Sequence, residues 1–258
     1  MPVHPTAIVS PAARIAETAE IGPYSIIDGE VEIGARTRLM AHVYMEGPLD
    51  VGEDNIFFPY STVGVASQDL KYRGERAETR IGSRNKIREF VTIHRGTEGG
   101  GLVTSIGDDN LLMAYVHVAH DVHLGNHAVL ANAVTLGGHV AVGDWTVIGA
   151  STGVHQFCRI GRHAIIGGYS VVTQDVLPFS STVSERAIKV FGANRVGLER
   201  RGFASGTIEH LQTALRLLTR AGLNTSQAVE RIRAEITDCP EVDELLAFIN
   251  ESRRGVIK

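Results

Sequence analysis

At 258 residues the chain is long enough to bury a full core as one large domain or two smaller ones, and its formal charge of −4 leaves no excess of Lys and Arg to displace phosphate counterions. That excludes a nucleic-acid-binding role resting on global charge. Two cysteines, Cys158 and Cys239, are too few and too far apart for a disulfide framework and fit a reducing compartment. No basic and apolar leader opens the sequence and no run of about eighteen apolar residues occurs, so the expectation is a soluble, cytoplasmic protein with no integral membrane segment.

From the N-terminus, every sixth residue is apolar: Val3, Val9, Ile15, Ile21, Ile27, Ile33, Leu39, Met45, Val51, Phe57 and Val63. The register resumes at Ile81, Ile87 and Ile93, shifts by one, and runs unbroken from Ile106 to Val172. The residue four after each apolar one is mostly small or β-branched (Ala7, Ala13, Ser25, Thr37, Val116, Ala128, Thr152), as expected if both positions point into a narrow strand-built core. The residue directly after the apolar one is often glycine, as in Gly22, Gly34, Gly107, Gly137 and Gly161, which suggests a corner requiring φ > 0. A hexapeptide period of this kind is the signature of a parallel β-helix.

Two stretches interrupt it, GVASQDLKYRGERAETR after Val63 and HRGTEGGGLVTS from His94, and both read as loops leaving the solenoid. Beyond Pro178 the period ends. GTIEHLQTALRLLTRAG carries Ile208, Leu211, Leu215 and Leu218 at helical spacing before a glycine stop, Asn224 and Thr225 can cap a second helix, and Pro240 can start a third. The expected domains are a β-helix over residues 1–180, with loops at about 64–80 and 94–105, and an α-helical domain over residues 181–258.

Polar residues with chemistry concentrate between Leu112 and Gln156. Hexads starting at Val118, Leu136 and Val154 are 18 residues apart, one turn of a three-sided coil, so they share a face on successive turns about 4.8 Å apart. His120, His139 and His155 then form a polar column, with Asp121, Gly138 and Gln156 beside it and His117 just before that edge. Imidazole clusters also suggest Zn²⁺, as in solenoid carbonic anhydrases. His117, His120 and His123, however, are spaced so that a stride of six carries them to different faces of the prism, and no metal is expected.

With these residues in view the whole chain resembles the UDP-N-acetylglucosamine O-acyltransferases that take their acyl group from acyl carrier protein and begin lipid A synthesis. The runs that carry the resemblance are QDLKYRGE, IREFVTIHRGT, GDDNLLM, HVAHD, GGHV, VHQFCRIG and GLERRGF, in that order. It implies a left-handed solenoid, no cofactor, and a homotrimer with sites shared between neighbours. It also implies transfer of an (R)-3-hydroxyacyl chain to the glucosamine 3-hydroxyl, with His120 as general base, Asp121 supporting it and the Gly138 N–H receiving the oxyanion. Asp69, Lys71, His117, His139, Gln156, Asn194, Arg200 and Arg201 would hold the sugar nucleotide, and His155 would line the acyl or pantetheine path. Gly168 matches a position that limits acyl length, where a glycine predicts a chain longer than ten carbons. Val196 departs from the acidic residue of some relatives, so no nucleotide contact is expected there. Arg80, Arg84, Lys86, Arg88 and Arg95 make a candidate docking patch for the acidic carrier protein, with a solvated charge run as the alternative. Two other readings stand beside the transferase: the related sugar-nucleotide N-acyltransferase, which carries an extra N-terminal globular domain where here the hexads begin at Val3, and a non-catalytic trimeric scaffold.

Overall fold

The computed structural model describes residues 3–182, 190, 192–193, 195–200 and 202–251. The chain divides into two compact units, residues 1–184 and 185–258.

The first unit is a solenoid of three parallel sheets with nine, eight and nine strands, visited in turn as the chain winds. Most strands are two residues long, and one residue of each pair faces the core. Successive coils pair in register 18 residues apart, as in Ile8 with Ile26 and Val118 with Leu136. The apolar hexad positions are the core: Ile27, Phe57, Ile87, Leu112, Leu136 and Ile148 are fully buried. Each such side chain contributes about 1.5–3 kcal/mol relative to exposure, so the period in the sequence is the period of the stabilising contacts.

Not every second inward position is apolar. Asn55, Asn85 and Asn110 are buried one above another. Asn85 Nδ2 donates to Asn55 Oδ1 and to the Gly107 carbonyl, and Asn85 Oδ1 accepts from the Asn110 N–H at 2.9 Å. The amides close backbone groups that the corners leave open. Replacing Asn85 with alanine should cost about 2–4 kcal/mol, because the Asn110 N–H is left buried and unpaired; a denaturation midpoint equal to that of the parent protein would contradict this role.

The glycines work differently from the expectation. The left-handed conformation falls two residues later, on non-glycines that include Asp121 (φ 59°), His139 (φ 61°) and Phe157 (φ 67°). The recurrent glycine is required by close approach instead: a Cβ on Gly137 would lie 2.8 Å from the Gln156 nitrogen of the next coil, and one on Gly34 2.6 Å from the Gly52 carbonyl carbon. The corner turns on φ > 0 at a position whose identity is free, and stacks tightly where it must be glycine.

The interruptions lengthen two coils. Thr62 pairs with Thr92 and Thr92 with His117, so these turns take 30 and 25 residues. The loops are shorter than expected, because their flanking strands extend to four residues: Thr62–Val65, Glu78–Ile81 and Val103–Ile106. Glu78 pairs with Val103 and Thr79 with Thr104, which carries sheet pairing into both loop ends. Both loops leave from one edge of the prism, the edge on which His120 and His139 form the later corners.

Among the described residues the second unit holds four helices: α1 (Arg195–Arg200), α2 (Ser205–Arg220), α3 (Thr225–Glu235) and α4 (Pro240–Glu251). The short α1 is not among the helices expected from the sequence. α2 stops before Gly222, which takes φ 67°. Asn224 caps α3 reciprocally: its side chain accepts from the Gln227 N–H while Gln227 Oε1 accepts from the Asn224 N–H. Pro240 opens α4 where no N–H is needed. Leu217, Leu218, Val229, Ile232, Val242 and Leu246 form the core of this unit. Among the described residues no helix is long and apolar enough to cross a membrane.

Candidate active site

Three levels of one edge build the site. His120 and Asp121 turn the first corner, Gly138 and His139 the second, Gln156 and Phe157 the third. Asp121 shares the left-handed φ of the other corner residues, but the second loop covers its side chain, which is 1 % exposed. There Oδ2 lies 2.8 Å from His120 Nδ1. The neighbours in sequence therefore touch within one chain. With Nδ1–H donating to the carboxylate, Nε2 is the unprotonated nitrogen of the neutral ring. His139 stacks edge-on to His120, with centroids 5.0 Å apart, and face-to-face on Phe157 at 4.4 Å.

Gly138 is placed by His120. A Cβ there would come within 2.5 Å of His120 Cε1 and 2.6 Å of Nε2, so only glycine leaves the ring in place. The Gly138 N–H has no hydrogen-bond partner among the described residues, while its carbonyl accepts from the Phe157 N–H at 3.0 Å.

The corners open onto a cleft of about 490 Å³ lined by Gln68, Asp69, Lys71, His117, His120 and His139, with His94, Gln156 and Phe157 also on its walls. The first loop supplies the opposite wall. Asp69 Oδ1 accepts from the Lys71 N–H at 2.9 Å, a local turn that brings both side chains to the cleft. The second loop is tied to the first where Glu75 Oε1 accepts from the Glu98 N–H. Lys71 and, in the adjoining part of the cleft, Arg73 are the cations lining this space among the described residues.

His94, His117 and His139 are held neutral. Burial pushes His94 down to about 4, reinforced by His117 and His120, and pushes His117 below its ordinary value, with His120 adding to it. Burial also lowers His139, against the opposing pull of Asp121. His117 Nδ1 is 2.7 Å from the Thr92 hydroxyl, which fixes its ring. At neutral pH these groups offer hydrogen bonds rather than charge.

A testable consequence concerns His94, which is 5 % exposed. It ionises near 6.5 when free and near 4 when folded, so the unfolded chain binds the proton more readily. Above pH 6.5 the contribution vanishes; as the pH falls toward 4 the fold loses stability, by roughly 3 kcal/mol in full. Exchanging His94 for glutamine should flatten the denaturation midpoint against pH over that window, and an unchanged slope would contradict the assignment.

Several expected residues fall elsewhere. His155 is exposed and stands one position before the corner, its Nδ1 3.0 Å from the Gln156 carbonyl oxygen, so the third level of the column is Gln156 and Phe157. Gly168 turns a different edge of the prism from His120. Arg200 is exposed at the end of α1 in the second unit, and Asn194 and Arg201 lie outside the described residues. Val196 is exposed on α1. The docking patch does not form as one surface. Arg84 is held by Asp108 and Asp109, Arg88 by Glu89, and Arg80 by Glu78. Arg95 is buried against Glu46 and the Gly64 carbonyl, leaving Lys86 as the exposed residue of the five without an ion pair. His94, Gln68, Phe157 and Thr97 are site residues that the sequence reading did not single out.

His117 and His123 lie on different sheets, as the stride of six requires. A different trio, His120, Asp121 and His139, places ligand-capable atoms within 4.8 Å of one another. Asp121 Oδ2 already receives His120 Nδ1 and the Thr97 hydroxyl. The set therefore fits a hydrogen-bonded dyad better than an open metal site.

A hexapeptide prism with an imidazole–carboxylate dyad at one corner is the architecture of a hexapeptide-repeat transferase. The bacterial transferase hexapeptide family matches residues 104–138, and the UDP-N-acetylglucosamine O-acyltransferase domain 2 family matches residues 175–257. The acyl-(acyl-carrier-protein)–UDP-N-acetylglucosamine O-acyltransferases of Thermodesulfovibrio yellowstonii and Myxococcus xanthus are 46% and 47% identical to it, over 99% of each chain. The solved structure of the UDP-N-acetylglucosamine O-acyltransferase of Moraxella catarrhalis is 40% identical, covers 100% of both chains and superposes with a TM-score of 0.71. The chain belongs to the acyl-(acyl-carrier-protein)–UDP-N-acetylglucosamine O-acyltransferase family, and its fold is a left-handed parallel β-helix with a C-terminal helical region.

Proposed function

We propose that the protein transfers an (R)-3-hydroxyacyl chain from acyl carrier protein to the glucosamine 3-hydroxyl of UDP-N-acetylglucosamine, the first step of lipid A synthesis. The observation that carries the site assignment is the His120–Asp121 contact of 2.8 Å at the base of the cleft, with Gly138 against the same ring. His120 Nε2 takes the proton of the 3-hydroxyl as its oxygen attacks the thioester carbonyl. The C–O bond forms, the carbonyl oxygen becomes an oxyanion, and the Gly138 N–H donates to it. Collapse breaks the C–S bond, and the pantetheine thiolate recovers the proton from His120. Asp121 accepts from Nδ1–H throughout and stabilises the imidazolium.

Lys71, Asp69, His117, His139 and Gln156 hold the sugar nucleotide, Lys71 offering charge to the diphosphate and the neutral imidazoles offering hydrogen bonds. By the family resemblance Asn194, Arg200 and Arg201 serve the nucleotide and His155 serves the pantetheine path. Gly168 leaves the acyl path open to a chain longer than ten carbons, in a homotrimer whose neighbouring protomers share each site. The proposed reaction needs no metal or cofactor and runs in the cytoplasm. An acceptor lacking only the 3-hydroxyl tests the chemistry: it should bind competitively with the natural nucleotide and receive no acyl group, and acylation of that analogue would overturn the reading.

A further inference from the structure

The mechanism leaves one buried contact of the dyad unused. Among the described residues the only basic groups that Asp121 Oδ2 faces are the imidazoles of His120 and His139, at 2.8 and 3.8 Å, yet its carboxylate is almost wholly buried. A buried carboxylate needs hydrogen-bond donors to replace its lost hydration. Those donors come from one residue of the second loop. The Thr97 N–H donates to Oδ1 at 2.8 Å, and the Thr97 hydroxyl donates to Oδ2 at 2.6 Å, the same oxygen that faces His120. Thr97 is itself 5 % exposed.

The grip on two different oxygens fixes the plane of the carboxylate. The loop is shaped to deliver it. The Thr97 carbonyl accepts from the Gly100 and Leu102 N–H groups at 3.0 and 2.9 Å, which closes a tight turn over the dyad. At Gly100 a Cβ would lie 1.9 Å from the Asp121 carboxyl carbon, so the turn descends onto the carboxylate as closely as backbone can. From the far side, the Asp121 N–H donates to the buried Thr104 hydroxyl at 2.7 Å. The glycine-rich segment that breaks the hexapeptide period is thereby explained: it carries a threonine to the corner one coil below.

We propose that Thr97 is a positioning residue for catalysis: it holds the Asp121 carboxylate aimed at His120 Nδ1. The inference rests on the reading of His120 as the base. Thr97→Val keeps the shape and the backbone donor and removes the hydroxyl; Thr97→Ser restores it.

The test compares kcat and KM for acyl transfer to UDP-N-acetylglucosamine in the parent protein, T97V, T97S, D121A and the T97V/D121A double variant, with H120A in the same series. T97V should lower kcat roughly ten- to a hundredfold, leave KM for the nucleotide within about twofold, and be rescued by T97S. In the D121A background the T97V change should cost nothing further, because its effect runs through the carboxylate. Parent-like kcat in T97V, or an equal loss with Asp121 absent, would overturn the proposal. If T97V fails to fold, T97S carries the same test, since a serine that folds and leaves kcat reduced as far as D121A does would contradict it. An active H120A would overturn the underlying reading instead.

Discussion

Replacing His120 with alanine should lower kcat by about 10²–10⁴-fold while leaving the fold intact, the loss that follows from removing a positioned general base. The side chain is 13 % exposed and packs by its edge against His139, so its removal empties a small space at a corner and leaves the core positions untouched. The loss should fall on kcat. Lys71, Asp69, His117 and Gln156, which line the nucleotide cleft, keep their places without His120, so KM for the acceptor should change by no more than about fivefold. The scaffold alternative requires no loss of any activity. The measurement is steady-state turnover alongside the thermal midpoint and the oligomeric state: a large fall in kcat at an unchanged midpoint is the expected result, and turnover within about threefold of the parent would remove His120 from the chemistry.

The second large effect is expected at Gly138. Alanine there brings a carbon to 2.5 Å from His120 Cε1, about 1 Å inside ordinary contact, so the imidazole must swing away from the attacking oxygen. Displacements of that size cost about a hundredfold in rate. Alanine keeps the backbone N–H, so the loss comes from the displaced ring, and about a hundredfold is expected in kcat. Stability should change little, since Gly138 is absent from the positions with positive φ and the crowding falls on the far end of a side chain. Turnover, the thermal midpoint and nucleotide affinity together check it, and an alanine variant with parent-like kcat would show that Gly138 does not space the ring.

Why the site was partly legible follows from the solenoid itself. When residues 18 apart must stack, as Val118 and Leu136 do, sequence arithmetic is geometry, and His120, Asp121, Gly138 and His139 meet for that reason. The arithmetic fails within a residue or two of a corner. His155 was placed on the column, but the chain turns on the following pair, so Gln156 and Phe157 occupy that level. The left-handed residue of each corner left no compositional trace, because tyrosine, histidine, aspartate, tryptophan and phenylalanine all take it.

Contacts that cross the interruptions were the least visible. Thr97 meets Asp121 and Arg84 meets Asp109 at separations of 24 and 25 residues, because the intervening loop breaks the period. A basic run therefore read as a docking patch when most of its charges were already paired. His94 was hidden for the same reason, since it ends the last strand before the loop. Across the boundary at residue 184 no repeat exists to extend, and only motif resemblance spoke for Arg200.

Product analysis bears most directly on the account. The protein is incubated with UDP-N-acetylglucosamine and a 3-hydroxyacyl carrier protein, and the nucleotide product is examined by mass and by the proton resonances of the glucosamine ring. The expected product gains one 3-hydroxyacyl group, shifts the ring proton at carbon 3 downfield as an ester does, and disappears in the His120→Ala protein. An acyl group on nitrogen, or an ester that forms equally well without His120, would contradict it.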